Sequence, residues 1–289
     1  MKVNKAVILA AGFGTRMLPA SKVIPKEILP VVDRPAIQVV VEEVVKSGIR
    51  DIVFVISPGR TTVLQHFGSV PDLEQHLAEK RRHDLLELVH HSTNLAHITA
   101  VEQREPRGIG HAVLQARAAI GEEPFAVLLP DDIFDAERPC LRQLLDVAER
   151  HDAPVVALLR VPRSELSKYG IVEARQIGHR TFKLTGMVEK PAPEQAPSDF
   201  AIMGRYVLPA KIFSILEHAK PGVGGEIQLT DALMELSRRR DLLGYEFEGV
   251  RYDLGDRLGF LKAQIGYGLQ HPDLADKLRA YLESLVAPR

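Results

Sequence analysis

Six consecutive apolar residues, Ala6 to Ala11, stop at Gly12 and Gly14. A strand that is apolar without alternation has to be covered on both faces, so its sheet needs layers above and below. Asp51–Ile56, Ile98–Glu102 and Phe125–Leu129 repeat the pattern. Amphipathic segments lie between them. In the first, Ile37, Val40, Val41, Val44 and Val45 recur at helical spacing, Pro35 suits the first turn and Gly48 ends it. Leu73–His91, Ala112–Ile120 and Cys140–His151 read as further helices, the first of them more polar. Strands separated by helices predict an α/β fold with a mostly parallel sheet and helices on both faces. After the strand Val155–Val161, three runs follow without helices between them: Gly170–Ala174, Lys183–Lys190 and Ala201–Leu208. These predict antiparallel additions to the sheet. Helices are expected at Pro209–His218, Leu229–Arg239 and Leu274–Leu285. No repeat or linker divides the chain, so residues 1–289 are expected to form one domain with a polar-faced C-terminal helical tail.

Charge narrows the partners. The chain carries 37 basic and 38 acidic residues, well mixed, so no basic field points to nucleic acid. The densest basic run, Arg238 to Arg240, reads as a solvated helix end. A single cysteine, Cys140, precludes an intrachain disulfide and fits a reducing compartment. Lys2 and Lys5 precede apolar residues, but that run is too short for a signal peptide, and nothing approaches a membrane span. A cytoplasmic protein without a membrane partner is expected.

The glycine turn after the first strand places a ligand at the carboxyl edge of the sheet. Gly12 and Gly14 begin a dinucleotide fingerprint, but Met17 stands where its third glycine belongs, which disfavours a dehydrogenase. No Gly-Lys-Ser/Thr follows at Walker spacing either. What does follow is Arg16 and Lys26 on a segment stiffened by Pro19, Pro25 and Pro30. Bare amide N–H groups beside cations form a cradle for phosphates, and the prolines reduce the entropy lost on binding.

The motif Leu9-Ala10-Ala11-Gly12-x-Gly14-Thr15-Arg16, followed by Pro25-Lys26-Glu27-x-Leu29-Pro30, resembles the signature of nucleotidyltransferases that make nucleoside-diphosphate sugars. The likeness continues in "QREPRGIGHAV", "LLPDDIF", "YGIVE", "MVEKP", "AIMGRYVL", "GGEIQLTDAL" and "YDLGDRLGFL", in the family's order. The resemblance implies a Rossmann-like mixed sheet of the nucleotide-diphospho-sugar transferase type. It implies a nucleotide-binding part at about 1–135, a sugar-binding part at about 136–260 and a tail at about 261–289. The implied reaction is uridylyl transfer from UTP to α-D-glucose 1-phosphate, giving UDP-glucose and pyrophosphate with Mg2+ as cofactor. The family habit implies a homodimer or homotetramer.

By the same resemblance, Ala10, Ala11, Gly12, Gly14 and Thr15 meet the nucleotide, with Arg16 and Lys26 on its phosphates. Gln103 and Gly108 fall to the base; a primary amide offers a donor and an acceptor, as the edge of uracil does. Asp131 and Asp253 are the implied metal carboxylates, since magnesium takes few protein ligands beside phosphates and water. Asp132, next in sequence, would face away if the strand continued, and is left a supporting or capping role at the sugar-phosphate side. Tyr169, Gly170, Glu189, Lys190, Gly204 and Glu226 fall to the sugar phosphate. Each residue alone has a blander reading: Lys26 as a loop lysine, Gln103 as surface decoration, Glu189-Lys190 as an exposed strand end. His90-His91 lacks further ligands at metal spacing and reads as a solvated face, and His111 as a helix opening rather than a base. The catalytic set is therefore Arg16, Lys26, Asp131, Lys190 and Asp253. Two alternatives stay open: the same chemistry on dTTP or another sugar 1-phosphate, and a catalytically silent paralogue that binds nucleotide sugar as a regulator. Leu73–His91 and "EIQLTDAL" favour the UTP branch by resemblance.

Overall fold

The computed structural model describes residues 1–286; residues 287–289, the end of the expected tail, lie outside the described residues. The strands are β1 (Lys5–Ala10), β2 (Pro30–Val31), β3 (Arg34–Pro35), β4 (Asp51–Ile56), β5 (His97–Glu102), β6 (Phe125–Leu128) and β7 (Asp132–Asp135). They continue with β8 (Val155–Arg160), β9 (Gly170–Gly178), β10 (Thr181–Glu189), β11 (Phe200–Leu208), β12 (Leu243–Glu246) and β13 (Val250–Asp253). Nine of them form one sheet in the order β5-β4-β1-β6-β11-β8-β12-β10-β9. The β5, β4, β1 and β6 strands run parallel to one another, as does β12 to β8.

Helices α1 (Ala36–Lys46), α2 (Thr62–His66), α3 (Pro71–Glu79), α4 (His83–Thr93), α5 (Ile109–Gln115), α6 (Arg117–Ile120) and α7 (Cys140–His151) precede α8 (Lys211–Glu217), α9 (Leu229–Ser237), α10 (Arg257–Gly268) and α11 (Ala275–Val286). Alternate residues of β1 feed opposite layers, as successive strand side chains must. Ala6, Ile8 and Ala10 pack with α1 and α7, through Ile37, Val40, Val44, Leu141 and Leu144. Val7, Leu9 and Ala11 pack with α5, α8 and α9, through Val113, Ile212, Phe213 and Leu233. A sheet covered in this way needs no alternation, which is why β1 is apolar throughout.

Three expectations change. The antiparallel strands are not confined to one side of a parallel sheet: β11 lies in the middle, antiparallel to both β6 and β8, and is buried along its whole length. Its neighbour across the sheet, β9, also touches it through Ala201 and Ile171, so that end of the sheet curls over. The segment Leu73–His91 is two helices, α3 and α4, separated at Arg81 with φ 53°. The tail helices are not polar alone: beside exposed charges such as Arg257, Lys262, Lys277 and Arg279, α10 exposes Leu258, Leu261 and Ile265, and α11 exposes Tyr281 and Leu285. Among the described residues, no helix is long and apolar enough to cross a membrane.

Candidate active site

β1 ends in the parallel half of the sheet, between β4 and β6, and its carboxyl end carries the glycine loop. Gly14 adopts φ 66° and leads into a single 3-10 turn, Thr15–Met17, which points Arg16 outward. The Ser21 hydroxyl ties the loop down by donating to the Gly14 carbonyl at 2.7 Å. Ala10 is buried at the strand end, and the Ala11 carbonyl accepts from Ser57 at 2.7 Å. A cleft of about 360 Å³ opens here, bordered by Leu9, Ala11, Gly12, Gly14, Thr15, Lys26, Gln103, Gly108, Asp131 and Glu226. Gly108 has φ 99°, and a Cβ there would stand 2.7 Å from Cβ of Glu226 and 2.9 Å from the Ile227 carbonyl. Only glycine lets the α5 entrance approach that segment. Gln103, buried at the end of β5, donates its amide to the Gly108 carbonyl at 3.2 Å, and His111 Nδ1 lies 3.1 Å away. The donor end of the amide is thereby engaged, and the oxygen is the end left for a ligand. His111 orients Gln103; burial, with the charge of Arg107, pushes its imidazole pKa down.

The charges meet just outside the loop. Lys26 Nζ donates to Asp131 Oδ2 at 2.6 Å, while Arg16 lies 3.8 Å from Asp131 and 4.0 Å from Asp253. Burial works against ionisation of Asp131, but Lys26, and then Arg16, outweigh it and hold the carboxyl below the usual aspartate range. Burial likewise opposes the charge on Lys26, but Asp131 and Glu27 overcome it and keep the lysine charged. Gly255 lies against this cluster, where a Cβ would press on the Arg16 guanidinium and stand 3.0 Å from Asp253 Oδ1.

Asp131 and Asp132 separate for a reason other than strand alternation. β6 ends at Leu128, a turn covers Pro130 and Asp131, and β7 starts at Asp132. On β13, Asp253 stands opposite Asp132, and the Leu254 amide donates to the Asp131 carbonyl at 2.7 Å, so the short β7–β13 ladder brings residues 131 and 253 together. Asp132 turns to Arg251, whose Nε donates to its Oδ1 at 2.6 Å. Asp256 caps α10 through Gly259 N. Among the described residues no group of three or more His, Cys, Asp or Glu side chains could hold a metal; Asp131 and Asp253 are a pair of hard oxygen donors sharing one arginine.

On the other flank, Tyr169 precedes β9 and its hydroxyl accepts from Arg251 at 3.1 Å. Glu189 Oε2 accepts from Thr230 at 2.6 Å, and a Cβ on Gly170 would stand 2.8 Å from that Thr230 hydroxyl and 3.1 Å from Glu189 Oε2. Lys190 has φ 47°, a left-handed conformation held by its amide donating to the Tyr169 carbonyl at 3.0 Å, and its Nζ lies 3.6 Å from Glu189. Gly204 is buried inside β11, where a Cβ would come within 2.6 Å of Asp132 Oδ2. Its contact is with the Asp132 side of the turn.

Four further residues shape this region. Arg205, 0% exposed, pairs with Glu43 of α1 and donates to the carbonyls of Leu129 at 3.0 Å and Asp132 at 2.8 Å, bracketing the turn that carries Asp131. An arginine inside the apolar run "AIMGRYVL" was its signal, since a charge at such a position requires a partner. Arg251 precedes Asp253 by two and so shares its strand face. Thr230 had no signal of its own. Glu27, inside the lysine motif, is buried with both carboxylate oxygens unpartnered, and burial pushes its pKa up.

A sequence profile described as Nucleotidyl transferase matches residues 5–268. The chain belongs to the nucleotidyl transferase family. Similarity to individual members is nearly end to end. The UTP--glucose-1-phosphate uridylyltransferase of Bacillus subtilis (strain 168) is 46% identical over 285 residues, 99% of this chain and 98% of that protein. The solved structure of a UTP-bound UGPase from Acinetobacter baumannii is 38% identical, covers 99% of this chain and 100% of its own, and superposes with a TM-score of 0.90. A UDP-glucose pyrophosphorylase complexed with UDP-glucose is 35% identical, with a TM-score of 0.85 over 93% of this chain and 100% of that one. The solved structures thus share the fold of this chain over nearly its whole length.

Proposed function

We propose that this chain transfers the uridylyl group of UTP to α-D-glucose 1-phosphate, releasing pyrophosphate and UDP-glucose. The observation that carries the reading is the convergence of Arg16, Lys26, Asp131 and Asp253 at the mouth of the glycine loop. The names and bound nucleotides of its relatives support the choice of substrates. A phosphate oxygen of the sugar phosphate attacks the α-phosphorus in line; the new P–O bond forms as the bond to the β-phosphate breaks, and pyrophosphate leaves. That oxygen is already largely ionised, since a phosphomonoester's second pKa is about 6, so no side chain has to take a proton. Catalysis then rests on positioning and charge neutralisation.

The backbone of Ala10, Ala11, Gly12, Gly14 and Thr15 receives the nucleotide, Arg16 and Lys26 meet its phosphates, and Gln103 with Gly108 takes the base. Tyr169, Gly170, Glu189 and Glu226 take the sugar, Lys190 its phosphate, and Gly204 and Asp132 support that side from behind. Asp131 and Asp253 would hold Mg2+, a hard ion that takes few carboxylates. When bound, the ion neutralises phosphate charge. The whole chain acts as one catalytic unit in the cytoplasm, without nucleic acid or membrane partners. It assembles as a homodimer or homotetramer, for which the exposed Leu258, Leu261 and Ile265 of α10 offer a face; a monomer by light scattering would remove that part.

Pyrophosphate release across UTP, dTTP and several sugar 1-phosphates tests the activity. UTP with glucose 1-phosphate should be preferred. Equal release with dTTP would overturn the base assignment, and no release from any pair would leave a nucleotide-sugar binding protein.

A further inference from the structure

Arg251 belongs to none of the recognised motifs, yet its guanidinium joins three residues assigned above to the sugar-phosphate and metal side of the site. Nη1 donates to the Tyr169 hydroxyl at 3.1 Å, Nε donates to Asp132 Oδ1 at 2.6 Å, and Nη2 lies 3.5 Å from Asp253 Oδ2. These partners lie on the segment before β9, at the start of β7 and at the end of β13. The side chain is only 10% exposed, and its carbon Cζ stands 5.1 Å from the centre of the Tyr169 ring. Arg205 offers a contrast within the same molecule: it bonds backbone carbonyls and Glu43, behind the cleft. The partners of Arg251 include side chains that face ligand in the reading above.

The chemistry of the fork says what this accomplishes. A guanidinium donates in one plane at fixed angles, so Tyr169 and Asp132 cannot shift independently of each other. Because the Tyr169 oxygen accepts from Arg251, its own O–H proton is directed elsewhere and is left for another acceptor. A sugar hydroxyl or a phosphate oxygen is such an acceptor.

We propose that Arg251 is a positioning residue for the acceptor substrate: by holding the Tyr169 hydroxyl and the Asp132 carboxylate in one plane beside Asp253, it presets the sugar-phosphate half of the site. The proposal rests on the uridylyl-transfer reading. It does not extend to the nucleotide half, since Gln103, Gly108 and the glycine loop make no contact with Arg251 among the described contacts.

The test compares the full-length parent with Arg251→Gln, Tyr169→Phe and the double variant. Steady-state kinetics are run for both substrates, and glucose 1-phosphate binding is measured by calorimetry without metal. Loss of a hydrogen bond to a charged group predicts a rise of about tenfold in the glucose 1-phosphate KM and Kd of Arg251→Gln, with the UTP KM unchanged to about twofold. Tyr169→Phe should move the same constants in the same direction by less, and the double variant should be no worse than Arg251→Gln alone, because both remove one contact. A residue that merely supports the fold would shift both substrates and give additive losses, which overturns the proposal. So does an unchanged glucose 1-phosphate affinity in Arg251→Gln. If Arg251→Gln does not fold, Tyr169→Phe decides by the same split between the two KM values. A parent that neither binds glucose 1-phosphate nor releases pyrophosphate overturns the functional reading itself, and this proposal with it.

Discussion

Asparagine at position 131 and asparagine at position 132 are isosteric changes one residue apart, and the structure assigns them opposite consequences. Asp132 and Arg251 are 8% and 10% exposed, and their contact is both ionic and hydrogen-bonded. Removing the anion leaves a buried guanidinium with only Asp253, at 3.5 Å, to compensate it. Breaking a buried pair from one side costs about 3 kcal/mol, at the lower end of the usual range because that second carboxylate remains. For a chain of 289 residues this corresponds to a fall of about 5 °C in Tm. Asp131 is more open, 20% exposed; of its partners Arg16 is 62% exposed, while Lys26 is itself largely buried at 15%. Asp131→Asn keeps an oxygen that can accept from Lys26 but removes the charge facing it, and should cost about 2 kcal/mol of stability, less than Asp132→Asn. Turnover behaves in the reverse order. Asp131 carries the charge that meets Lys26 and, in the proposed reaction, the metal, so Asp131→Asn should lower kcat by about 100-fold, with added magnesium restoring little. Asp132→Asn should keep most of its kcat below its melting range. Thermal melts and a magnesium titration of pyrophosphate release, run on both variants, check this. A crippled, fully stable Asp132→Asn, or an Asp131→Asn with the parent's kcat, would refute the assignment of the two carboxylates.

Gln103→Ala should raise the UTP KM by about tenfold, because it leaves the base's imide unpaired, while the glucose 1-phosphate KM stays near the parent's; equal UTP kinetics in mutant and parent would refute base reading. Lys190→Ala should lower kcat/KM for glucose 1-phosphate by about tenfold, as expected for a lost charge-assisted contact; a change confined to the UTP KM would show that Lys190 faces the wrong substrate. Glu27→Gln should stabilise the protein at neutral pH. Burial raises the folded-state pKa of Glu27, so the parent's ionised form is disfavoured in the fold; the parent's stability from this group is complete below the unfolded pKa and is lost as pH rises through the folded one. The gain of the glutamine variant should therefore be present near pH 8 and fade as pH falls toward the unfolded pKa, and a gain that grew on acidification would refute the sign.

What could be read from the chain depended on whether a feature is local. β1, β4 and β6 were legible as apolar runs because both faces are covered, and the glycine loop was legible because Gly14 and the prolines act on their own backbone. The direction of β11 was not, since a fully buried strand has the same composition whether its neighbours run with it or against it. Arg81 broke the expected Leu73–His91 helix from a left-handed conformation that no glycine advertised. The site is less local still: Lys26 meets Asp131 across 105 residues and Arg251 meets Asp132 across 119, distances over which no spacing rule operates. The pair Asp131 and Asp132 shows how a local rule can point the right way on a wrong premise. Strand alternation would send adjacent side chains to opposite faces, but residue 131 is in a turn and residue 132 opens the next strand. Their divergence is set instead by what waits on each side: Lys26 beside the glycine loop, and Arg251 on β13. Adjacent acids of this kind are told apart by their cations, and those cations become visible only once the chain has folded.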